Sequence, residues 1–533
     1  MVKLLRFFIK TNVFFLLIFF VFGAPALAQE SRYGGTLIYG SMGQPLNLDP
    51  GVINDSESEL DASCIFETLV RYDGVKGTYI PKLAERWEST PDKKIWTFYL
   101  RKNVTFHDGT PFNAEAVKFN WERQMLQNHP FHNPDYGRFT FYRSIWGGIP
   151  GNIQEIKVLN KNTIRVILYT RSHNFLRIIS RIPFAIASPT AIIKKGGKFS
   201  SQPVGTGPFK FVEWRDWQRI LLVCNHDYWG GRPYLDRLIF EPTPGEYSRR
   251  RQVEREHIDV TESPGDELVE AIYSGKVTNL KVQGMPSENF SFISLNCQKP
   301  PLDVPMVRRA LCFAIDKNKI LGWTQEKILS ADSPVDKMLG VSISGRSYPY
   351  NPGTAKALLK KAGYPNGFPI ELWYIKIARP FAINPENIAY IVEKNFRDIG
   401  LDVTVKGMKW ETYQEKLSYG EHQAAITGYV GIYDNPEIYF QVSWDRSNAV
   451  LGGTNISFFK NDQINALLAK LRYADDQRTM LDTYRSIQKI LGDECPIIPL
   501  FHKKGILVMN KRVFGLNPAR DGTIDFSKTW IRK

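Results

Sequence analysis

Residues 370–405 carry a strand–helix–strand pattern that leaves few alternatives for the fold of this part of the chain. The segment "IELWYIK" places alternate side chains from Ile370 onward on one face, as a half-buried strand does. Asn384 is then predicted to cap a helix that has Pro385 in its first turn, and alternation resumes at Leu401. Strands joined through a helix lie parallel, so the pattern predicts an α/β fold.

Two loops follow strands of this predicted sheet. Arg379 lies between the end of one strand and the next helix, and "GYVGIYDNPEIYF" (428–440) follows a second strand, predicted from Ala424 to Tyr429. Ligands of open α/β sheets bind beyond the carboxyl ends of strands, and helix N-termini favour anions. Arg379 is therefore either an anion contact or a surface arginine that precedes Pro380.

The N-terminal 28 residues predict that the chain is exported. Lys3, Arg6 and Lys10 precede an apolar run from Val13 to Phe22, and small residues lead up to Ala28. This is the pattern of a secretory signal peptide that is cleaved after Ala28. Nucleic acid is a poor partner for such a chain.

Size and charge limit the domain organisation and the character of the surface. Removal of the three basic residues of the signal peptide lowers the net charge from +15 to +12, which favours solubility but defines no fold. The Arg249–Arg251 run, with acidic residues after it, is predicted to form a solvated helix face. About 500 mature residues exceed what one hydrophobic core serves, so at least two lobes are expected.

The residues that carry most enzyme chemistry do not form catalytic patterns in this sequence. It contains no H-E-x-x-H, G-x-S-x-G or G-x-x-x-x-G-K-[ST] motif, and "VGTGPF" is interpreted as a tight loop. His129 and His132 are close in sequence, but Pro130 favours a loop rather than a helical metal pair. The five cysteines are widely spaced, and Cys64 and Cys312 are predicted to be buried. One disulfide bond is possible. We predict a binding protein with no catalytic residue, no metal and no cofactor.

Distinctive stretches follow one another along nearly the whole mature chain: "LAERWESTPDKKIWTFYLRKNVTFHDGTPFNAEAVKF" (83–119), "PVGTGPF", "NHDYWGGRPYLD" (225–236), "KPPLDVPMVRRALCFAID" (299–316), "LWYIKIARPFAINPEN", "YGEHQAAITGYVGIYDNPEIYF" and "CPIIPLF". Together they resemble the peptide-binding solute-binding proteins of ABC importers. The likeness is greatest to the dipeptide-binding protein group.

This resemblance implies a two-lobed periplasmic binding protein of α/β fold (type II-like), with an extra subdomain in the first lobe at about residues 60–190. Lobe I would comprise residues 29–283 with 508–533, and lobe II residues 284–507. The chain would cross between the lobes near Gly284 to Phe290 and return near Pro499 to Leu507. Such a receptor is expected to be a monomer that closes on its ligand about a hinge and delivers it to an ABC permease in the inner membrane.

The resemblance also implies a set of ligand contacts. Arg379 matches an arginine that holds the C-terminal carboxylate of a peptide, a task suited to a planar guanidinium. Tyr429 stands where the family usually has tryptophan, so an aromatic wall is retained. The expected ligand-binding set is completed by four further residues: Phe381, Gly431, Ile432 and Asp434.

Ile432 departs from the family pattern, which places an aspartate here to pair with the α-ammonium of the peptide. An ammonium buried without a partner costs on the order of several kcal/mol. Either Asp434 supplies the missing carboxylate, or the ligand has no free amine at this point. Asp434 is otherwise a turn residue whose side chain caps its own backbone.

The leading interpretation is an extracytoplasmic substrate-binding component that captures peptides or a peptide-like anionic ligand. Within the same class, a haem-like tetrapyrrole or a glutathione-type conjugate would also offer carboxylates to Arg379. Outside it, the alternatives are an exported peptide hydrolase and an envelope chaperone. The missing nucleophile and metal motifs weigh against the hydrolase.

Overall fold

The computed structural model describes the following residues of the 533-residue chain: 32–74, 76–132, 138–323, 328–333, 348–430, 435–472, 474, 476–519 and 522–533. The strands are β1 (Thr36–Ser41), β2 (Val70–Asp73), β3 (Thr78–Pro81), β4 (Ala84–Ser89), β5 (Ile95–Leu100), β6 (Ile153–Asn160), β7 (Thr163–Leu168), β8 (Phe209–Arg215), β9 (Arg219–Cys224), β10 (Arg237–Pro242), β11 (Val260–Glu262), β12 (Leu280–Leu295), β13 (Ile328–Ser330), β14 (Pro369–Ile375), β15 (Asp402–Met408), β16 (Ala424–Val430), β17 (Ile497–Asn510), β18 (Val513–Phe514), β19 (Asn517–Pro518), β20 (Ile524–Asp525) and β21 (Trp530–Ile531).

The α-helices lie between and after these strands. They are α1 (Ser56–Ile65), α2 (Ala114–Met125), α3 (Thr140–Trp146), α4 (Phe175–Ile179), α5 (Pro189–Lys195), α6 (Glu246–Glu254), α7 (Asp266–Tyr273), α8 (Pro305–Ala314), α9 (Lys317–Trp323), α10 (Pro352–Lys361), α11 (Pro385–Asp398), α12 (Trp410–Ser418), α13 (Pro436–Trp444), α14 (Asp462–Leu471) and α15 (Gln477–Glu494).

A mixed sheet of eleven described strands runs through the molecule, in the order β15-β14-β16-β12-β17-β11-β1-β10-β9-β8, with β13 beside β17. Its longest strands, β12 and β17, pair antiparallel with each other. Parallel pairs flank them on both sides: β14 with β15 and β16, and β1 with β10 and β11. Phe292 and Ile293 of β12 and Leu500 and Leu507 of β17 are buried, so these two strands lie in the core.

The strand–helix–strand unit predicted from residue 370 to residue 405 is present. β14 and β15 are parallel, with Ile370 beside Val403. Between them, α11 buries Ile388 and Phe396 on the face that packs against the sheet. The parallel arrangement predicted from this pattern is confirmed.

The predicted cap of α11 is wrong in one respect. Asn384 precedes the helix, but its φ of 45° and ψ of 53° are left-handed, and its side chain makes no capping hydrogen bond. Pro385 does occupy the first turn, as predicted. Asparagine tolerates the left-handed region better than most residues, so Asn384 turns the chain into the helix instead of capping it.

A separate antiparallel sheet, in the order β4-β5-β7-β6, forms in the first third of the chain. The strand predicted from "IWTFYLR" is β5, and the helix predicted from about Ala114 is α2. Asn113 caps this helix as predicted, because its Oδ1 accepts a hydrogen bond from the backbone N–H of Ala116 at 3.0 Å. The sheet falls inside the segment for which an extra subdomain is predicted.

The predicted solvated face at Arg249–Arg251 is wrong at Arg249. This residue is only 1 % exposed. Its guanidinium donates to four carbonyl oxygens at 2.9–3.1 Å, those of Thr243, Pro244, Glu262 and Ser263. A guanidinium carries five N–H donors, so one side chain can satisfy several loop carbonyl groups that sequence periodicity does not reveal.

Two of the distinctive sequence stretches meet at the buried carboxylate of Glu67. Tyr228 Oη and Trp229 Nε1 each donate to it at 2.7 Å, and Thr206 Oγ1 donates at 3.1 Å. Gly205 lies so close to the end of α1 that a Cβ at this position would overlap a backbone carbonyl oxygen. "VGTGPF" is therefore a tight loop, as predicted. Gly205 is required there because the two backbone segments approach each other so closely.

All five cysteines are free thiols in this structure, and Cys64 and Cys312 are buried as predicted. Within the part of the chain that the structure describes, none of the helices combines the length and apolar character needed to cross a bilayer.

Candidate ligand-binding cavity

A cavity of about 510 Å³ lies beyond the carboxyl ends of β14 and β16. Its first wall, formed by residues before β12, comes chiefly from the start of α1 and from residues 138–141. Its second wall, formed by residues between β12 and β17, comes from α12 and from the loops after β14 and at 452–456. Cavities of this volume commonly hold small molecules.

A tight turn places Arg379 in the second wall. The backbone N–H of Arg379 donates to the carbonyl oxygen of Ala382 at 3.2 Å, and the N–H of Ala382 donates back at 2.9 Å. Pro380 and Phe381 form the tip of this turn. The arginine therefore lies between the end of β14 and the start of α11, as the sequence predicted.

Glu57 of α1 lines a smaller cavity next to this one and contacts the guanidinium of Arg379. Glu57 Oε1 lies 2.5 Å from Arg379 Nη1, and the two side chains are 7 % and 1 % exposed. Gly43, also in the first part of the chain, is so close that a Cβ there would overlap the guanidinium. The anion that Arg379 contacts in this structure is therefore a carboxylate of the protein itself.

Other carboxyl groups surround Glu57 and have raised pKa values. Burial, together with the charge of Glu57, raises the pKa of Asp55 to about 7. The same two causes raise the pKa of Asp61 well above its usual range. Burial also raises the pKa of Glu262, although Tyr39 Oη donates to its carboxylate at 2.9 Å. Acidic groups thus gather behind Arg379: Asp55 lines this cavity, whereas Glu57, Asp61 and Glu262 line the smaller one next to it.

The second wall is aromatic around Arg379. The ring centroid of Trp410 lies 4.7 Å from Arg379 Cζ, and the ring of Phe381 is 6.1 Å from that of Trp410. Tyr429, on β16, lines the same cavity, and burial raises its pKa to about 12. Gly428 lies beneath Phe381, because a Cβ at this position would overlap the phenylalanine side chain.

Three of the residues predicted to bind the ligand line this one cavity: Arg379, Phe381 and Tyr429. The other three lie outside the described residues: Gly431, Ile432 and Asp434. The roles of all six in ligand binding stay predictions.

Sequence reasoning missed the acidic contribution of residues 55–61. The segment "DSESELD" begins a helix, where acidic side chains are common because they interact favourably with the helix dipole. It supplies both the Glu57 partner of Arg379 and Glu59, which pairs with Arg181 at 3.2 Å. Both partners are far away in the chain, so no local pattern could have identified these pairs.

The two walls touch each other beside the cavity. Asn435 Nδ2 donates to Asn174 Oδ1 at 2.8 Å, and Asn448 Nδ2 donates to the carbonyl oxygen of Ser144 at 2.9 Å. Thr454 Oγ1 lies 2.9 Å from Ser144 Oγ. These contacts join α13 and the loop after it to α3 and the segment before α4, and Thr454 is the one of these residues that lines the cavity.

A cavity of this size between two contacting parts of an α/β fold is typical of proteins that bind a small solute. Residues 78–450 match the bacterial extracellular solute-binding proteins, family 5 Middle, and the chain belongs to this family. The resemblance and the fold class predicted from the sequence are confirmed.

Individual relatives cover almost the whole chain. Heme-binding protein A of Haemophilus influenzae is 30 % identical over 501 residues, which cover 91 % of this chain and 90 % of the relative. The dipeptide-binding protein of Escherichia coli is 30 % identical over 495 residues, covering 90 % and 91 %. The structure of an ABC transporter-associated periplasmic binding protein from Helicobacter pylori, in complex with peptide STSA, is similar with a TM-score of 0.87 and 28 % identity, covering 94 % of this chain and 99 % of that chain.

Proposed function

We propose that this protein is the substrate-binding component of an ABC importer, and that it captures peptides or peptide-like ligands for a membrane permease. The observation that carries the proposal is the cavity that brings Arg379, Phe381 and Tyr429 together between two contacting walls. A ligand that touches both walls stabilises the closed arrangement by its differential affinity for it. The relatives named for dipeptide binding, and the related structure in complex with a peptide, support the same ligand class.

The proposed movement is hinge closure of lobe II (284–507) on lobe I (29–283 with 508–533). The proposed crossings lie within β12 and β17. The pairing register of these two strands shifts between Gly284 and Glu288. Such an irregularity weakens the ladder locally and is a suitable place for a hinge. The protein is proposed to act as a periplasmic monomer without catalysis, after removal of a signal peptide at residues 1–28.

A peptide library tests the proposed function directly. The full-length mature protein is incubated with di-, tri- and tetrapeptides, and retained ligands are identified by native mass spectrometry and by shifts in thermal unfolding. Haem and glutathione are tested in parallel as competing ligands. We expect peptides to be retained intact. Retention of haem alone, or accumulation of peptide fragments, would contradict the proposal.

The proposed role of Ile432 has its own test. Peptides with free and with acetylated N-termini are compared on the natural protein and on an Ile432→Asp variant. If Ile432 leaves the α-ammonium of the peptide without a partner, acetylation weakens binding to the natural protein by less than about threefold. Ile432→Asp then restores a preference for the free amine. A strong preference for the free amine in the natural protein would instead assign the ammonium contact to another carboxylate, such as Asp434.

A further inference from the structure

Arg379 is already neutralised inside the cavity that is proposed to bind the ligand. Glu57 Oε1 lies 2.5 Å from its Nη1, and both side chains are nearly fully buried. A carboxylate fixed in the protein loses no translational freedom on pairing, whereas the carboxylate of a free ligand does. A ligand carboxylate must therefore displace Glu57 or share the guanidinium with it.

Sharing is unfavourable because of the neighbouring acids. Asp55 and Asp61 lie close enough to Glu57 for its charge to raise both pKa values. A further carboxylate at Arg379 would add a like charge to this group, and like charges in a buried site disfavour each other's ionised forms. An uncharged ligand group avoids this cost.

The rest of the contact surface suits such a group. Trp410 and Phe381 present aromatic rings beside the guanidinium. Glu57 Oε1 is an ion-pair contact of Arg379 Nη1, but none of the described residues accepts a hydrogen bond from the buried Nε or Nη1. An amide carbonyl oxygen can accept hydrogen bonds from a guanidinium without bringing a charge.

We propose that Glu57 determines the ligand specificity of the cavity: it occupies Arg379 and thereby selects ligands that present an amide, rather than a free carboxylate, at this point. Such a ligand is an amidated peptide or a peptide that continues past Arg379. The inference rests on the proposed function, since it names the ligand class of the same cavity.

The test compares two tetrapeptide libraries of identical sequence composition, one with free C-terminal carboxylates and one with C-terminal amides. Both are titrated by calorimetry and native mass spectrometry against the natural full-length mature protein and against Glu57→Gln. This substitution keeps the size of the side chain and removes its charge. Glu254→Gln is the matched control, because it removes one acidic charge from an ion pair with Arg250 on α6, and neither of these residues lines this cavity.

We expect the natural protein to bind amides at least as tightly as free acids. In Glu57→Gln, the ratio of acid affinity to amide affinity should rise about tenfold, and the rise in Glu254→Gln should be no more than about twofold. Equal rises in the two variants would show a general charge effect and overturn the inference.

Other outcomes separate the inference from the proposed function. A tenfold preference of the natural protein for free acids, unchanged in Glu57→Gln, overturns the inference and leaves the peptide receptor intact. Binding of acids by Glu57→Gln, with neither library bound by the natural protein, overturns the inference and also contradicts peptide capture by the natural protein. Failure of both proteins to bind either library overturns both. If Glu57→Gln does not fold, the natural protein alone tests the inference: tighter binding of free acids than of amides would overturn it.

Discussion

Asn174 and Asn435 connect the two parts of the chain that form the cavity through one hydrogen bond, in which Nδ2 of Asn435 donates to Oδ1 of Asn174 at 2.8 Å. Asn435 also caps α13, because its Oδ1 accepts from the backbone N–H of Ile438 at 3.1 Å. One side chain thus stabilises a helix and links it to the segment before α4 at the same time. The first prediction separates these two contributions.

Replacement of Asn174 by Ala removes the contact between the two parts of the chain and leaves the cap of α13 in place. The closed arrangement should lose about 1 kcal/mol, which corresponds to roughly a fivefold weaker ligand affinity with little change in thermal stability of the free protein. Calorimetric titration with a retained peptide measures this. Asn162→Ala is the control, since Asn162 lies away from the cavity and contacts Arg101. Equal affinities of Asn174→Ala and the natural protein would show that the contact does not contribute to closure.

The buried pair of Arg379 and Glu57 should be strongly coupled in stability. Arg379→Met leaves Glu57 without its cation among other acids, and we expect the free energy of unfolding to fall by about 3 kcal/mol. The double variant Arg379→Met/Glu57→Gln buries no unpaired charge at this point, so it should be more stable than Arg379→Met alone. The measurement is a double-mutant cycle: urea unfolding is compared for the natural protein, both single variants and the double variant. Additive single and double effects would mean that the two residues do not interact.

His422 should make the protein sensitive to acid. It is fully buried beside the rings of Trp373 and Phe458, and burial lowers its pKa to about 3. In the unfolded chain its pKa is near 6.5, so the unfolded state takes up a proton first as the pH falls. The contribution of neutral His422 is thus fully present above pH 6.5 and is lost progressively between about pH 6.5 and pH 3.

The corresponding measurement compares the natural protein with His422→Leu from pH 7.5 to pH 4. The natural protein should lose up to about 3 kcal/mol more of its free energy of unfolding over this range than the variant does. The buried carboxyl groups of the cavity act in the opposite direction, but they are common to both proteins and cancel in the difference. Parallel pH profiles of the two proteins would show that His422 does not contribute to the acid sensitivity.

Glu67 should be intolerant of replacement by Gln, although the two side chains have nearly the same shape. Tyr228, Trp229 and Thr206 all donate to its carboxylate, so an amide NH₂ group would face donors. We expect a loss of about 2–3 kcal/mol in the free energy of unfolding. Glu88→Gln is the control, because its side chain is 60 % exposed. Comparable melting temperatures of the two variants would show that the cluster around Glu67 contributes little.

Local periodicity was sufficient for the strand–helix–strand unit at residues 370–405. The alternation from Ile370 and the helical spacing of Ile388 and Phe396 reflect burial on one face, and burial is what the structure shows. Asn384 failed as a cap because the conformation of a turn depends on where the chain must go next. Arg249 failed as a solvated residue because its partners are backbone carbonyl groups, which carry no side-chain signal.

The candidate site could be predicted only on its second wall. Arg379 follows a strand end, so its place at the edge of the sheet could be deduced from the order of elements. Glu57 belongs to a helix start that looks ordinary by itself. Its contact with Arg379 arises from the packing of two distant segments, and a single sequence contains no measure of that packing.

The long strand β17 has a consequence for when the molecule can fold. It pairs with β11 on one side and with β12 on the other, so it joins the parts of the central sheet that carry the two walls. Its residues, 497–510, lie near the end of the chain. A polypeptide that crosses a membrane with its N-terminus first cannot complete this sheet until almost all of it has emerged, because the contacts of β17 with earlier strands are distant in sequence. In a chain exported as proposed, the cavity between the two walls therefore forms only once β17 has crossed the membrane.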